Sequence, residues 1–278
     1  MSEREIQGLH HYYEQTGEGA PLVFIHGAFA DSRIWEPQWR HFSSQYRLMR
    51  YDLRGHGKTG ISQLDRYSMA TFADDLKSLL DSLELFSPIL CGLSWGGSIA
   101  QAFAVRNPTR VKALILAGSS VSIRLTVIDK LLSDVLFPKW AMLFTIRMLS
   151  VENFTRFSLW LARLTRGRQW LSQDETTREY LENCMLAMNS REYMKIWEAM
   201  YGFNLLPLEN ITCPTLVLNG EYEPKSAFRH TKEILRRVPH ALARVVPKAS
   251  HAMNIDNRNA FNHHLEEFLA TSTQETVS

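Results

Sequence analysis

The stretch PILCGLSWGGSIAQAFAVRNP (88–108) decides how the rest of the chain is read. Its first five residues, PILCG (88–92), form an apolar run with the length and composition of a buried strand. Its last eleven, SIAQAFAVRNP (98–108), follow helical spacing and stop at Asn107-Pro108, because proline cannot continue a helix. Between them stands Gly92-Leu93-Ser94-Trp95-Gly96-Gly97. A strand that turns sharply into a helix holds the central serine in a strained backbone conformation with its hydroxyl exposed. The flanking positions call for glycine, since a Cβ there would collide across the turn. Gly-x-Ser-x-Gly arises by composition alone in roughly one chain in twenty of this length, so its context carries the weight. The plainer alternative is a Gly/Ser-rich loop in which Ser94 merely caps the helix.

Outward from this turn the same alternation recurs. PLVFIHG (21–27) and YRLMRYDLRGHG (46–57) read as strands closed by glycines, and VKALILAGSS (111–120) as another strand. TFADDLKSLLDSLEL (71–85) has apolar residues at helical spacing, with Thr71 as its expected cap and acids in its first turn. Alternating strands and helices predict an α/β fold, a mostly parallel central sheet flanked by helices. From 121 to 207 no run reads as strand, and Trp, Phe, Met and Arg fill helical-looking stretches, Phe137 and Trp170 among them. The sheet pattern resumes with PTLVLNG (214–220), a helix over 226–237, ALARVV (241–246) and a last helix over 258–269. A polar tail from 271 is expected to fray. The expected organisation is therefore a core of residues 1–120 and 208–278, interrupted by a helical insertion of residues 121–207.

The 278 residues carry 31 Lys+Arg against 29 Asp+Glu, a net charge of +2, which offers no basic footprint for nucleic acid. Cys91, Cys184 and Cys213 are too few and too scattered for a disulfide framework or a zinc site. No metal-ligand spacing and no phosphate-cradling loop is visible, so neither metal nor cofactor is expected. No run of about eighteen apolar residues is available to span a membrane. The polar start, MSEREIQGLHH, lacks the apolar segment of a signal peptide. These features fit a cytoplasmic protein, monomer or homodimer, with a small-molecule partner.

A serine hydroxyl needs an adjacent base to act as a nucleophile. His251, in VVPKASHAMNI just after the last strand, returns to the sheet edge where Ser94 stands. His10, His11, His41, His240, His263 and His264 fall in surface-looking segments, and His230 in a helix. His26, closing a strand, reads as a loop brace. An acid to orient His251 should lie between Ser94 and His251 in chain order. Asn219-Gly220-Glu221-Tyr222-Glu223-Pro224 offers two carboxylates, of which Glu223 is preferred and Glu221 is the alternative. Donors for an oxyanion are expected from the Trp95 amide and from the loop after PLVFI, assigned to Ala28 with Phe29 beside it. Phe29, Trp140, Trp160 and Trp197 are candidates to line an apolar pocket. The tryptophans have a packing role as their plain alternative. Arg163, Arg166 and Arg168 read more simply as a solvated helix end.

HGAF (26–29), YDLRGHGKTG (51–60), GLSWGG (92–97), AVRNPTRVKALILAG (104–118), PTLVLNGEYEP (214–224) and ASHAMN (249–254) together resemble the α/β-hydrolase superfamily. The branch resembled carries a helical cap after the sixth core strand, and the similarity spans nearly the whole chain. The resemblance implies Ser94 as nucleophile, His251 as base and an acid at Glu223, where most relatives have Asp. It implies a structural turn at Asp52, Arg54, Gly55 and Gly57. The expected activity is hydrolysis of a small apolar or aromatic carboxylic ester through an acyl-enzyme. C–C bond hydrolysis, cofactor-free oxygenase or perhydrolase chemistry, and low-turnover ligand binding are the alternatives on the same scaffold.

Overall fold

A computed structural model describes residues 2–136 and 138–274; Phe137 and the end of the polar tail, 275–278, lie outside the described residues. The chain begins with β1 (Ser2–Ile6) and β2 (Leu9–Thr16), followed by β3 (Pro21–Ile25), α1 (Glu36–Phe42), β4 (Arg47–Tyr51) and α2 (Met69–Ser82). Then come β5 (Ile89–Leu93), α3 (Trp95–Arg106) and β6 (Ala113–Ala117). The helices α4 (Val127–Leu131), α5 (Lys139–Arg166), α6 (Glu175–Leu186) and α7 (Ser190–Tyr201) intervene before β7 (Thr215–Gly220). The chain closes with α8 (Lys225–Arg237), β8 (Leu242–Val246), α9 (Met253–Asp256) and α10 (Arg258–Gln274).

The strands form one sheet in the order β1-β2-β4-β3-β5-β6-β7-β8. Every pair from β4 to β8 is parallel, and only β1 and β2 run antiparallel to their neighbours. Parallel strands covered on both faces must be apolar on both faces, which is why β3, β5 and β6 read as unbroken runs. Leu22 and Phe24 of β3 enter one core with Phe42 of α1 and Phe261 and Leu265 of α10. Val23 and Ile25 enter the other, with Leu76 of α2, Ile99 and Phe103 of α3 and Ile234 of α8.

The structure adds an N-terminal hairpin and corrects several local expectations. Residues 2–16 are a hairpin, closed by Gln7 and Gly8, both at positive φ (50° and 72°), as a two-residue hairpin turn demands. That hairpin buries His11, which has almost no exposed surface, while His10 faces water. The α2 cap is Ser68, whose hydroxyl accepts from the Thr71 amide while Thr71 reaches back to the Ser68 amide. This moves the helix start to Met69 and leaves its first turn without an acid. Finally, α3 begins at Trp95 rather than Ser98, and α10 runs five residues past its expected end, to Gln274.

Between β6 and β7 the described chain is helical, and each helix has a local cause. Asp174 caps α6 through the Thr177 amide, and Asn189 caps α7 through the Arg191 amide. Helix α5 kinks at Ser150, which sits at φ +67°. Ile146, Val151 and Phe154 of α5 and Tyr193 and Ile196 of α7 join the same apolar core as α2 and α3. The helical insertion therefore sits against the sheet's C-terminal edge, packed on the loops that leave it.

Candidate active site

Ser94 stands between β5 and α3 at φ +55°, ψ −117°, a backbone conformation that L-residues other than glycine rarely adopt. The turn closes because its neighbours have no side chains. A Cβ on Gly96 would overlap the carbonyls of Ile25 and His26, and one on Gly92 would overlap the Gly96 and Gly97 backbone. The Ser94 amide donates to the Ala117 carbonyl at 2.7 Å, which ties the turn to the end of β6. Among the described residues the Ser94 hydroxyl has no hydrogen-bond partner, so its lone pairs are free.

The loops after β7 and β8 meet beside it. His251 Nδ1 lies 2.7 Å from Glu223 Oε1, and the Glu223 side chain is only 1% exposed. The other carboxylate oxygen accepts from Asn219 Nδ2 at 2.8 Å, and Asn219 Oδ1 in turn accepts from the Thr231 hydroxyl of α8. A buried carboxylate fixed at both oxygens makes the Nδ1–H tautomer of His251 the favoured one and leaves Nε2 as the acceptor. Glu221 points the other way, accepting the Lys248 amide at 2.7 Å on the surface. Gly118, at φ +54°, makes the approach possible. A Cβ there would stand 3.0 Å from Glu223 Oε1 and 3.1 Å from His251 Nδ1. Gly118 follows the Ala117 carbonyl that holds Ser94, so serine, histidine and glutamate converge on one sheet edge.

The 26–29 loop comes equally close. A Cβ on Gly27 would lie 3.2 Å from Ser94 Cβ and 3.8 Å from its Oγ. Two buried histidines brace this loop by exchanging partners. His26 Nε2 accepts the Leu53 amide at 2.9 Å, and His56 Nε2 accepts the Phe29 amide at 3.0 Å. Their Nδ1–H groups donate to the Gly27 and Arg54 carbonyls. Burial pulls the His56 pKa down to about 3 and lowers that of His26, so both rings are neutral at pH 7. His56 Nε2 engages the Phe29 amide, whereas the Ala28 and Trp95 amides have no acceptor among the described residues. The brace expected of His26 is present; its reciprocal partner His56 is a residue the sequence reading missed.

Of the four expected pocket residues, the structure brings two together. Phe29 packs on Tyr193 (ring centroids 4.7 Å apart) and on Trp197 (5.3 Å), so α7 covers the 26–29 loop. Trp140 and Trp160 are 73% and 57% exposed, and the ring of Trp160 stacks on Phe157. The Trp95 ring is buried edge-on between Phe72 and Phe203. Asp52 accepts the Ser32 and Lys58 amides, and Arg54 pairs with buried Asp75, so the 52–57 turn is braced from within. A cleft of about 720 Å³ lies between the 30–33 and 55–61 loops and α6. It includes none of Ser94, Glu223 or His251; of its three carboxylates, Asp31 and Glu192 pair with Arg33 and Lys195, and Glu179 is the third.

A second feature the sequence did not disclose is a clip between the insertion and the His251 loop. The Trp170 and Leu171 carbonyls, between α5 and α6, accept the His251 and Ala252 amides at 3.3 and 2.8 Å. Asp256 holds both sides: Oδ1 accepts from Ser172 Oγ (2.5 Å) and the Gln173 amide (3.0 Å), and Oδ2 from the Ser250 amide (2.8 Å). The Trp170 ring lies 6.5 Å from the His251 ring, tilted by 32°. Asp256 follows His251 by five residues, a spacing whose meaning appears only once α9 turns the carboxylate back.

A family profile described as "alpha/beta hydrolase fold" matches residues 20–258. The chain belongs to the α/β-hydrolase family. It is 26% identical over 268 residues to an (E)-2-((N-methylformamido)methylene)succinate hydrolase of Acinetobacter baylyi, covering 94% of both chains. It is 25% identical over 251 residues to a 3-oxoadipate enol-lactonase of the same organism, covering 88% of this chain and 86% of that one. The solved enol-lactonase of Burkholderia xenovorans LB400 superposes with a TM-score of 0.80 at 22% identity, over 97% of this chain and all of that one, a likeness of fold. An α/β-hydrolase-family enzyme with hydrolytic activity is the function this kinship supports.

Proposed function

We propose that this α/β-hydrolase is a serine hydrolase that cleaves a small apolar or aromatic carboxylic ester through an acyl-enzyme. The observation that carries the reading is the buried Glu223 carboxylate on His251 Nδ1, beside a serine whose strained turn leaves its hydroxyl unpartnered. In this reading Ser94 Oγ attacks the ester carbonyl and His251 Nε2 takes its proton. His251 then returns that proton to the departing alcohol. The Ala28 and Trp95 amides, which have no acceptor among the described residues, donate to the oxyanion of the tetrahedral intermediate. Water, deprotonated by the same imidazole, releases the acid. Glu223 orients the ring and stabilises the imidazolium. The extra methylene relative to the Asp of most relatives is accommodated by the second anchor at Asn219, which fixes the longer side chain at its far oxygen.

The test is hydrolysis of p-nitrophenyl esters from acetate to decanoate by the wild type and by Ser94→Ala. The wild type is expected to turn over the short esters and the variant to lose about three or more orders of magnitude in kcat. Equal rates in the two proteins would exclude Ser94 as the nucleophile. An internal ester, a lactone, belongs in the same panel, because a relative at 25% identity is named as an enol-lactonase.

A further inference from the structure

We propose that the outer face of α4 and α5 docks the enzyme on an anionic lipid surface. Eleven of the seventeen exposed large apolar side chains among the described residues lie between 127 and 164. Single exposed apolar residues are ordinary, but this concentration on one limb is not. In α5 they form stripes. Trp140, Phe144 and Met148 recur every fourth residue before the kink at Ser150, and Phe157, Trp160 and Leu164 follow at helical spacing after it. These six range from 50% exposed (Phe157) to 73% (Trp140). The same helix buries Ile146, Val151, Phe154 and Leu159, so its packing contacts are made by other residues than the exposed stripe.

Charge selects the occupant. Residues 124–168 hold eight Lys or Arg against three Asp or Glu, a net +5 on a chain whose total is +2. Four of these cations pair with carboxylates: Arg124 with Asp134, Lys139 with Glu198, Arg156 with Glu152 and Arg163 with Glu182. Lys130 adds its charge beside the Asp134 that Arg124 already engages, and Arg147 and Arg168 have no ion-pair partner among the described residues. Aromatic and aliphatic side chains flanked by cations match the layering of a bilayer surface, with acyl chains beneath anionic headgroups. Nucleic acid would meet the cations but has no apolar layer for the stripe between them. A second copy fits less well. Face to face, it sets +5 against +5. The acidic limb at 169–207, with six Asp or Glu against three Lys or Arg, offers no exposed large apolar side chain among the described residues. No described helix is long and apolar enough to cross a membrane, so the contact is one of lying on the surface.

The test uses the full chain, co-sedimented with vesicles of phosphatidylcholine alone or rich in phosphatidylglycerol. Binding to the anionic vesicles is expected, weakened by salt, and weaker by about fivefold for each of Lys130→Glu and Arg147→Glu. The double variant Phe144→Glu/Leu164→Glu should abolish binding while keeping its thermal midpoint and its rate on soluble p-nitrophenyl acetate. Failure of the folded wild type to bind anionic vesicles overturns the proposal. So does a dimer in vesicle-free buffer, seen by sedimentation velocity, that the double variant dissolves, since it gives the face to a second copy. Vesicle binding is read without turnover, so an inactive wild type would count against the esterase reading and leave this one standing.

Discussion

At the sheet edge and on the outer face of the insertion, the same chain treats side chains in opposite ways. Around Ser94, three buried polar side chains are engaged: His26 and His56 exchange amides across two loops, and Glu223 is held at both oxygens. On the outer side of α5, large apolar groups such as Trp140 and Phe144 face water. Each arrangement carries a free-energy cost on its own. A buried polar atom must find a partner, and an exposed apolar stripe gives up the stabilisation of burial. The first cost is offset within the molecule. The second is offset by something that covers the stripe.

That contrast can be attacked at several points. Glu223→Gln should lower kcat by about four orders of magnitude while the protein stays folded, because the amide no longer stabilises the imidazolium. A loss under tenfold would mean that the buried carboxylate is not the orienting acid. Gly118→Ala forces a Cβ against the His251–Glu223 pair at φ +54° and should cost about a hundredfold in kcat with little change in KM. Asp256→Asn should cost about tenfold in kcat, since it loosens the clip on the His251 loop. Asp256→Glu should recover part of the loss; the same fall in both variants with an equal fall in melting temperature would reduce Asp256 to a stability role.

The smallest effect is on stability. Folding keeps His56 neutral down to about pH 3, whereas an unfolded histidine takes up its proton near 6.5. The unfolded state therefore binds more protons between those values, and stability is full above pH 6.5 and falls as the medium acidifies. The slope from His56 alone is ~1.4 kcal/mol per pH unit. Urea midpoints from pH 7 to 5 should fall steeply for the wild type and less so for His56→Gln. Parallel slopes would show that the ring is protonated in the folded state.

Much of this was legible in the sequence, and the reasons differ by element. The parallel strands announce themselves because burial on both faces demands continuous apolar runs, and the Ser94 turn because its glycines are sterically forced. The N-terminal hairpin was hidden because β1 is exposed along most of its length and reads as polar chain. Its signal was Gln7-Gly8 before Leu9, His11 and Tyr13, an alternation of period two that ends in buried side chains. His56 lies in a turn between Gly55 and Gly57, and its partner, the Phe29 amide, is 27 residues away in the chain. Trp140 and Trp160 are pocket candidates on the aromatic content of the insertion, and content does not tell which side of a helix a ring faces. The Asp256 clip joins residues more than eighty positions apart in the chain, and only the folded loops disclose it.

The most direct measurement is intact mass and peptide mapping after treatment with a fluorophosphonate. One adduct per chain, on the peptide that holds Ser94 and absent from Ser94→Ala, is the predicted result. An unlabelled wild type, or an adduct on another residue, would contradict a serine activated by His251 at this turn.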